Sequence, residues 1–229
     1  MSFNKTLEIF KMENQNWKII KRIGDEGKDG LSYIVHHEIN NIDGVVKLFK
    51  HRKSLNKIKT EYAFLKKVSE AGLGPKLYQS DIENKRYIIM ERLDLTLNQY
   101  LKEKNFSLND LKFIIKLYEK LGQIGISHND TNITRNIMFK GDRFYLIDFG
   151  MAYDVKKKNK NTELKGINPN IFLIVRLMHF VKDEIQKQYL RNYIDKYEEK
   201  YNVCVDLQNK ANKEREERLR LLLEKKYNH

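Results

Sequence analysis

The 229-residue sequence predicts an α+β fold in two unequal parts, an antiparallel sheet with one inserted helix and then a reduced, mainly helical region. Two observations predict it. The first ninety or so residues alternate short runs rich in Ile, Val and aromatics with Gly, Asn or Asp, whereas most later apolar residues recur at helical spacing. The change falls at Leu93, so the expected division is 1–93 and 94–229. At 41% hydrophobic and 33% charged, the chain can bury roughly 70% of its unfolded surface without disulfides or metals.

Trp17 to Ile23, Ser32 to His37 and Gly44 to Lys50 read as strands, and Asn40-Asn41-Ile42-Asp43-Gly44 as the hairpin turn between the last two. From Asn56 the period changes. Ile58, Tyr62, Leu65 and Val68 share one helical face, Ser54 or Asn56 can cap the start, and Gly72 with Gly74-Pro75 ends the helix. Lys76 to Asp81 and Arg86 to Arg92 return to strand. Leu111, Ile114, Ile115 and Tyr118 form the stripe of a core-packed helix capped by Ser107 or Asn109. Gly141-Asp142 joins the strands Ile137 to Lys140 and Phe144 to Asp148. Pro169 is expected in the first turn of one buried helix, Ile171 to Val181, with surface helices beyond. Asp206 to Tyr227, with Glu214/Arg218 and Glu216/Arg220 pairs, reads as a solvated helix docked by its last turns.

Several classes are excluded. No apolar run approaches the roughly 20 residues that span a bilayer, and Met1 to Trp17 lacks the apolar core of a secretory signal. The single Cys204 forms no internal disulfide, so a reducing, cytoplasmic setting is expected. Lys and Arg number 44 against 31 Asp and Glu, and the net charge of +13 points to anionic partners: nucleotides, acidic proteins, nucleic acid or a membrane surface.

The chemistry concentrates in two motifs. Asp148-Phe149-Gly150 closes the apolar run Phe144 to Ile147, and a chain of this composition contains that tripeptide by chance only about 0.03 times. His128-Asn129-Asp130 precedes it at a matching distance. With these two motifs the sequence resembles the protein-kinase superfamily over about residues 18 to 180. The resemblance implies a bilobal fold that uses ATP and Mg²⁺. It implies that Asp130 accepts or orients the substrate hydroxyl proton, Asn136 holds one Mg²⁺, and Asp148 chelates Mg²⁺ bridging the ATP phosphates. Val45-Val46-Lys47 resembles the strand lysine that meets the phosphates, and Glu61 on the inserted helix is placed to pair with it. Gly24, Gly27 and Gly30 resemble the glycine-rich loop, although a plain hairpin would use the same glycines. Met90-Glu91-Arg92-Leu93 resembles the hinge, where backbone groups of Glu91 and Leu93 bind adenine. Phosphoryl transfer builds charge on oxygens, so hard oxygen ligands and fixed positive charge supply most of its stabilisation.

Four departures shape what is carried over. Five residues instead of four separate Asp130 from Asn136, with Asn132 as the alternative ligand. Asn129 replaces the arginine that receives an activation-loop phosphate. No Ala-Pro-Glu follows Gly150, and Asn170 is the nearest polar residue to the aspartate expected in the later buried helix. This trimmed form is similar to RIO-type kinases, the kinase subunit of the KEOPS tRNA-modification complex, and compact viral and bacterial-effector kinases. It implies a Ser/Thr protein kinase. The alternatives are an ATP-binding or ATPase module of an RNA-linked assembly, and a pseudokinase whose C-terminal helix is a partner surface. Lys156 to Lys160 near the substrate mouth favours an acidic protein substrate, or is a solvated loop. Lys50, His51, Arg52, Lys53, Lys57 and Lys59 are the candidate basic surface for RNA or a protein complex.

Overall fold

A computed structural model describes residues 7–196 apart from 9, 13, 25–29, 51, 85–86 and 159–167. Gly27, His51, Cys204 and the expected helix Asp206 to Tyr227 lie outside the described residues. Five antiparallel strands form the first sheet: β1 (Trp17–Ile23), β2 (Gly30–His37), β3 (Ile42–Phe49), β4 (Leu77–Asp81) and β5 (Tyr87–Glu91), in the order β1-β2-β3-β5-β4. Between β3 and β4 lies α1 (Leu55–Glu70). The β2–β3 turn is tighter than the sequence suggests. Ile42 and Asp43 already pair with His37 and His36, and Asn41 closes the turn at φ 50°, a left-handed conformation that asparagine tolerates.

Strand alternation on β3 sets up the site. Val46 and Leu48 face a small core with Phe10, Trp17, Val35, Tyr87 and Ile89. Lys47 and Phe49 therefore face the other side, where Phe49 packs with Ile58, Leu65 and Val68 of α1 and with Ile88. The buried face of α1 is Ile58, Glu61, Leu65 and Val68, so a carboxylate takes the place in the stripe that the sequence reading gave to Tyr62. Ser54 is the cap residue by position but makes no side-chain cap bond, and Asn56 lies inside the helix. Gly72, at φ 67°, ends it.

Gly30 opens β2 where β3 passes close by. A Cβ there would lie 2.5 Å from the Leu48 carbonyl oxygen, so the strands would have to part. Gly30→Ala is expected to lower stability by roughly 1–3 kcal/mol, read as a lower urea midpoint with an unchanged slope.

The second part comprises β6 (Leu95–Thr96), α2 (Leu97–Glu103), α3 (Leu108–Gln123), β7 (Ile126–Ser127), α4 (Ile133–Asn136), β8 (Ile137–Lys140), β9 (Arg143–Leu146), β10 (Tyr153–Asp154), α5 (Val155–Lys158), α6 (Ile171–Arg176) and α7 (Glu184–Asp195). Ser107 caps α3 in a capping box: its Oγ accepts from the Asp110 N–H at 3.2 Å, and the Asp110 carboxylate accepts from the Ser107 N–H at 2.7 Å. Asn109 is inside that helix. The expected single helix from Ile171 to Val181 ends at Arg176 and tightens into a 3₁₀ turn, Leu177–His179. Pro169 precedes the cap residue Asn170 instead of entering the first turn. The two parts are tied beside α1, where the Leu146 N–H donates to the Leu73 carbonyl at 2.8 Å and the Lys67 ammonium to the Ile124 carbonyl.

Candidate functional site

Lys47 reaches from β3 to Glu61, the acid the sequence pairs with it, and also to Asp148. Its ammonium lies 2.6 Å from Glu61 Oε1 and 3.1 Å from Asp148 Oδ1. The alternation of β3 and the i, i+3, i+7 stripe of α1 bring the first pair together; the turn after β9 brings the third group. Burial alone would lower the Lys47 pKa, but the charges of Glu61 and Asp148 raise it above the ordinary 10.5. That pairing therefore stabilises the fold fully below pH 10.5 and fades only as pH rises past the raised value. The Lys47 charge holds the Asp148 carboxyl below its ordinary 3.8.

Asp148 occupies a strained backbone position, φ 59° and ψ 71°. Such a conformation in a non-glycine residue persists only where its surroundings impose it. Here Phe149 is 1% exposed and packs on His128 with ring centroids 4.8 Å apart, which anchors the following residue. The backbone before it is held from the loop that runs from His128 to Asn136. The Ile147 N–H donates to the Asn136 carbonyl at 2.9 Å, and His128 Nε2 lies 2.8 Å from the Ile147 carbonyl.

The loop itself is fixed by its own side chains. Asp130 Oδ1 accepts from the Asn132 N–H at 3.0 Å, and one turn of helix, α4, follows and carries Asn136 at its end. Asn136 is thereby buried while Asn132 is exposed. Asn129 takes φ 57° and donates from Nδ2 to the Met151 carbonyl at 3.3 Å, bridging the loop to the segment after Gly150. Beneath the loop, Asn170 is fully buried. Its Oδ1 accepts from the His128 N–H at 2.9 Å, and its Nδ2 donates to the Ile126 carbonyl at 2.9 Å and the Tyr118 carbonyl at 3.3 Å.

Burial lowers the His128 pKa from the ordinary 6.5. The neutral ring donates from Nε2 to Ile147, leaving Nδ1 buried without a hydrogen-bond partner. The unfolded ring takes its proton near 6.5 and the folded ring only at lower pH, so this contribution is whole above pH 6.5 and shrinks as pH falls. The urea midpoint of the wild type is expected to drop more between pH 7.5 and 5.5 than that of His128→Phe, with a limiting slope of about 1.4 kcal/mol per pH unit.

Of the hinge candidates, Glu91 is the last residue of β5 and the buried Leu93 follows it by two positions. The Glu91 side chain also has a place. Its carboxylate accepts from the Lys76 N–H at 3.2 Å and from the Lys140 ammonium at 2.7 Å, linking the end of β5 to the hairpin β8–β9. Gly24 turns the chain after β1 at φ 68°. Gly30 is required by the Leu48 contact, which is what a plain hairpin needs.

The expected basic surface is overturned at one of its residues. Lys53 does not belong to an exposed basic surface: its side chain is 3% exposed and its ammonium lies 2.6 Å from Glu61 Oε2. Lys59 is already paired with Glu83 at 2.8 Å. Sequence reasoning missed Lys53 as a site residue because it stands in the run Lys50-His51-Arg52-Lys53, and runs of that kind are usually solvated.

The residues fit a nucleotide and Mg²⁺. Among the described residues no group of three or more His, Cys, Asp or Glu could hold a metal alone. Mg²⁺ in phosphate-handling sites needs only one or two protein oxygens, the rest coming from phosphates and water. Asp148, with half its side chain exposed, can supply one such oxygen; Asn136, which is buried, would supply a second only through its Oδ1, since the unpartnered Nδ2 is an N–H donor.

A solved crystal structure of a kinase domain matches with a TM-score of 0.53 at 20% identity, over 66% of this chain and 54% of that one. The chain thus has a protein-kinase-like fold of atypical, reduced form. Two curated relatives, each described as a probable bifunctional tRNA threonylcarbamoyladenosine biosynthesis protein, are also similar. The one from Methanosarcina acetivorans is 27% identical over 176 residues, 74% of this chain and 29% of the relative. The one from Methanosarcina barkeri is 30% identical over 99 residues, 37% of this chain and 17% of the relative. The chain therefore spans less than a third of the length of the curated relatives it matches. No protein-family profile matches it.

Proposed function

We propose that this chain is an ATP- and Mg²⁺-dependent phosphotransferase that moves the γ-phosphate to a Ser or Thr hydroxyl of a protein, acting in the cytoplasm. The observation that carries the reading is Lys47 held between Glu61 and Asp148 at 2.6 and 3.1 Å, a fixed cation beside a carboxylate that can take a metal. Residues 1–93 form the nucleotide-gripping lobe and 94–229 the catalytic lobe. Glu91 and Leu93 offer backbone groups to adenine, and Gly24, Gly27 and Gly30 let the chain approach the phosphates. Asp148 and Asn136 hold Mg²⁺, which when bound neutralises the charge developing on the phosphate oxygens. Asp130 receives the hydroxyl proton. Lys156, whose N–H donates to Asp154 Oδ1 at 2.9 Å just past the site, favours an acidic substrate.

The two tRNA-related relatives favour a second reading, an ATP-hydrolysing module that works within an RNA-linked assembly. Arg52 and Lys57 are exposed near the start of α1, on the side such a surface would use. Incubation with γ-labelled ATP and Mg²⁺, a basic and an acidic protein, and tRNA separates the two. Label on protein is expected; label released only as phosphate and stimulated by tRNA selects the second reading. Intact ATP refutes both.

A further inference from the structure

Both oxygens of Glu61 are engaged, Oε1 by Lys47 and Oε2 by Lys53, each at 2.6 Å. Lys53 lies in the short link between β3 and α1, where its N–H donates to the Lys50 carbonyl at 3.1 Å. The two side chains of the second pair are 3% and 4% exposed. The ammonium groups of Lys47 and Lys53 lie 5.5 and 5.3 Å from the centroid of the buried Phe49 ring. A charge this deep is tolerated only when paired, so the link is pinned to the helix at Glu61.

The second lysine answers a problem posed by the first. Lys47 divides its ammonium between Glu61 and Asp148, and on the phosphotransferase reading both Lys47 and Asp148 turn toward the nucleotide. Glu61 would then be a buried carboxylate with part of its compensation withdrawn, and a helix carrying such a group tends to swing toward water. Asn129 stands where an arginine would receive a phosphate, so a phosphorylated segment has no partner there to brace the helix. Lys53 provides a permanent charge on the other oxygen of the carboxylate.

We propose that Lys53 is a positioning residue that clamps Glu61, and through it α1, in the arrangement that presents Lys47 to the phosphates, with or without nucleotide. Its consequence for turnover rests on the phosphotransferase reading; the clamp itself does not. A site assembled in this way is constitutively formed and needs no phosphorylation to bring α1 inward.

The test uses the full chain with Lys53→Met, Lys53→Arg, Glu61→Gln and the Met/Gln double variant. Lys53→Gln, which keeps an N–H donor, replaces the Met variant if that fails to fold. Amide hydrogen exchange of α1 is measured without nucleotide, and phosphotransfer with MgATP. Lys53→Met is expected to speed α1 exchange about tenfold and to lower kcat about tenfold with little change in KM for ATP, while Lys53→Arg retains most of both. On the Glu61→Gln background the same change is expected to add less than about twofold to either. Unchanged exchange in Lys53→Met, or losses that simply add in the double variant, would overturn the clamp. A wild type that neither binds nor uses MgATP, with α1 exchange still coupled to Lys53 through Glu61, would overturn the phosphotransferase reading and support the clamp.

Discussion

Asp148→Asn is expected to reduce MgATP-dependent phosphotransfer by about 10²–10³-fold, a loss of the size seen when one preorganised electrostatic contact to a developing charge is removed. The substitution keeps the volume and removes the charge. Lys47 retains Glu61 at 2.6 Å, so the variant should fold and α1 should stay in place. The Asp148 side chain is 49% exposed, and solvent screening keeps its contribution to stability small. That contribution exists above the ordinary carboxyl value of 3.8 and fades as pH falls through the lowered folded value, so wild type and variant should converge in stability in acid. Steady-state transfer of labelled phosphate with urea unfolding at pH 7 and pH 3 reads both effects. Asp130→Asn, which removes the proposed proton acceptor, is expected to lose about 10²–10⁴-fold in the same assay. If either variant keeps near wild-type turnover, Asp148 or Asp130 respectively has been assigned wrongly.

The largest stability effect is expected at Asn170. Its side chain accepts one hydrogen bond and donates two, all with backbone groups at or beneath the start of the His128–Asn136 loop. Asn170→Ala would leave the His128 N–H and the Ile126 carbonyl buried without this partner, at about 1–3 kcal/mol for each unsatisfied group, and would remove the second donor from the Tyr118 carbonyl inside α3. A loss of about 3–5 kcal/mol follows once incomplete additivity is allowed for. Asn170→Asp is the sharper test, because aspartate is the residue expected at this place by resemblance. A carboxylate can still accept from the His128 N–H, but it would face two carbonyl oxygens with nothing to donate. It should therefore destabilise nearly as much as alanine at pH 7 and recover part of the loss on protonation. Urea midpoints for the three proteins at pH 7 and pH 5 decide it. A fully stable Asn170→Asp would mean that the two carbonyls are satisfied by other donors.

Much of this architecture is legible in the chain because local patterns carry it. Trp17 to Ile23 is bracketed by polar and glycine residues, and the observed strand has the same bounds. Lys47 and Glu61 are readable as a pair through the family resemblance, which the apolar strand around the lysine and the helical stripe around the glutamate support. Where the outcome depends on distant partners, the chain is silent. Asn170 gains its meaning from His128, 42 positions away, and nothing beside it in sequence marks that contact. Lys53 reads as one more solvated cation until the β3–α1 link turns it inward. The side chain of Glu91 reads as idle because its partner Lys140 lies 49 residues on. The helix α2, with Leu97 and Tyr100 as its buried residues, is too short to show a period, and the two-residue strands β6, β7 and β10 show none.

The larger apolar cluster has a bearing on how the molecule comes apart. It runs without a break from Phe49, Ile58 and Ile88 in the sheet half through Leu111 and Tyr118 to Leu190 near the end of the described chain. Neither half can shed these contacts alone without wetting the other's share of the same interior. Heating should therefore melt the two halves in one cooperative transition instead of two. Any opening that admits or releases a small molecule must be a hinge-like flexing on an intact interior, not the unfolding of either half.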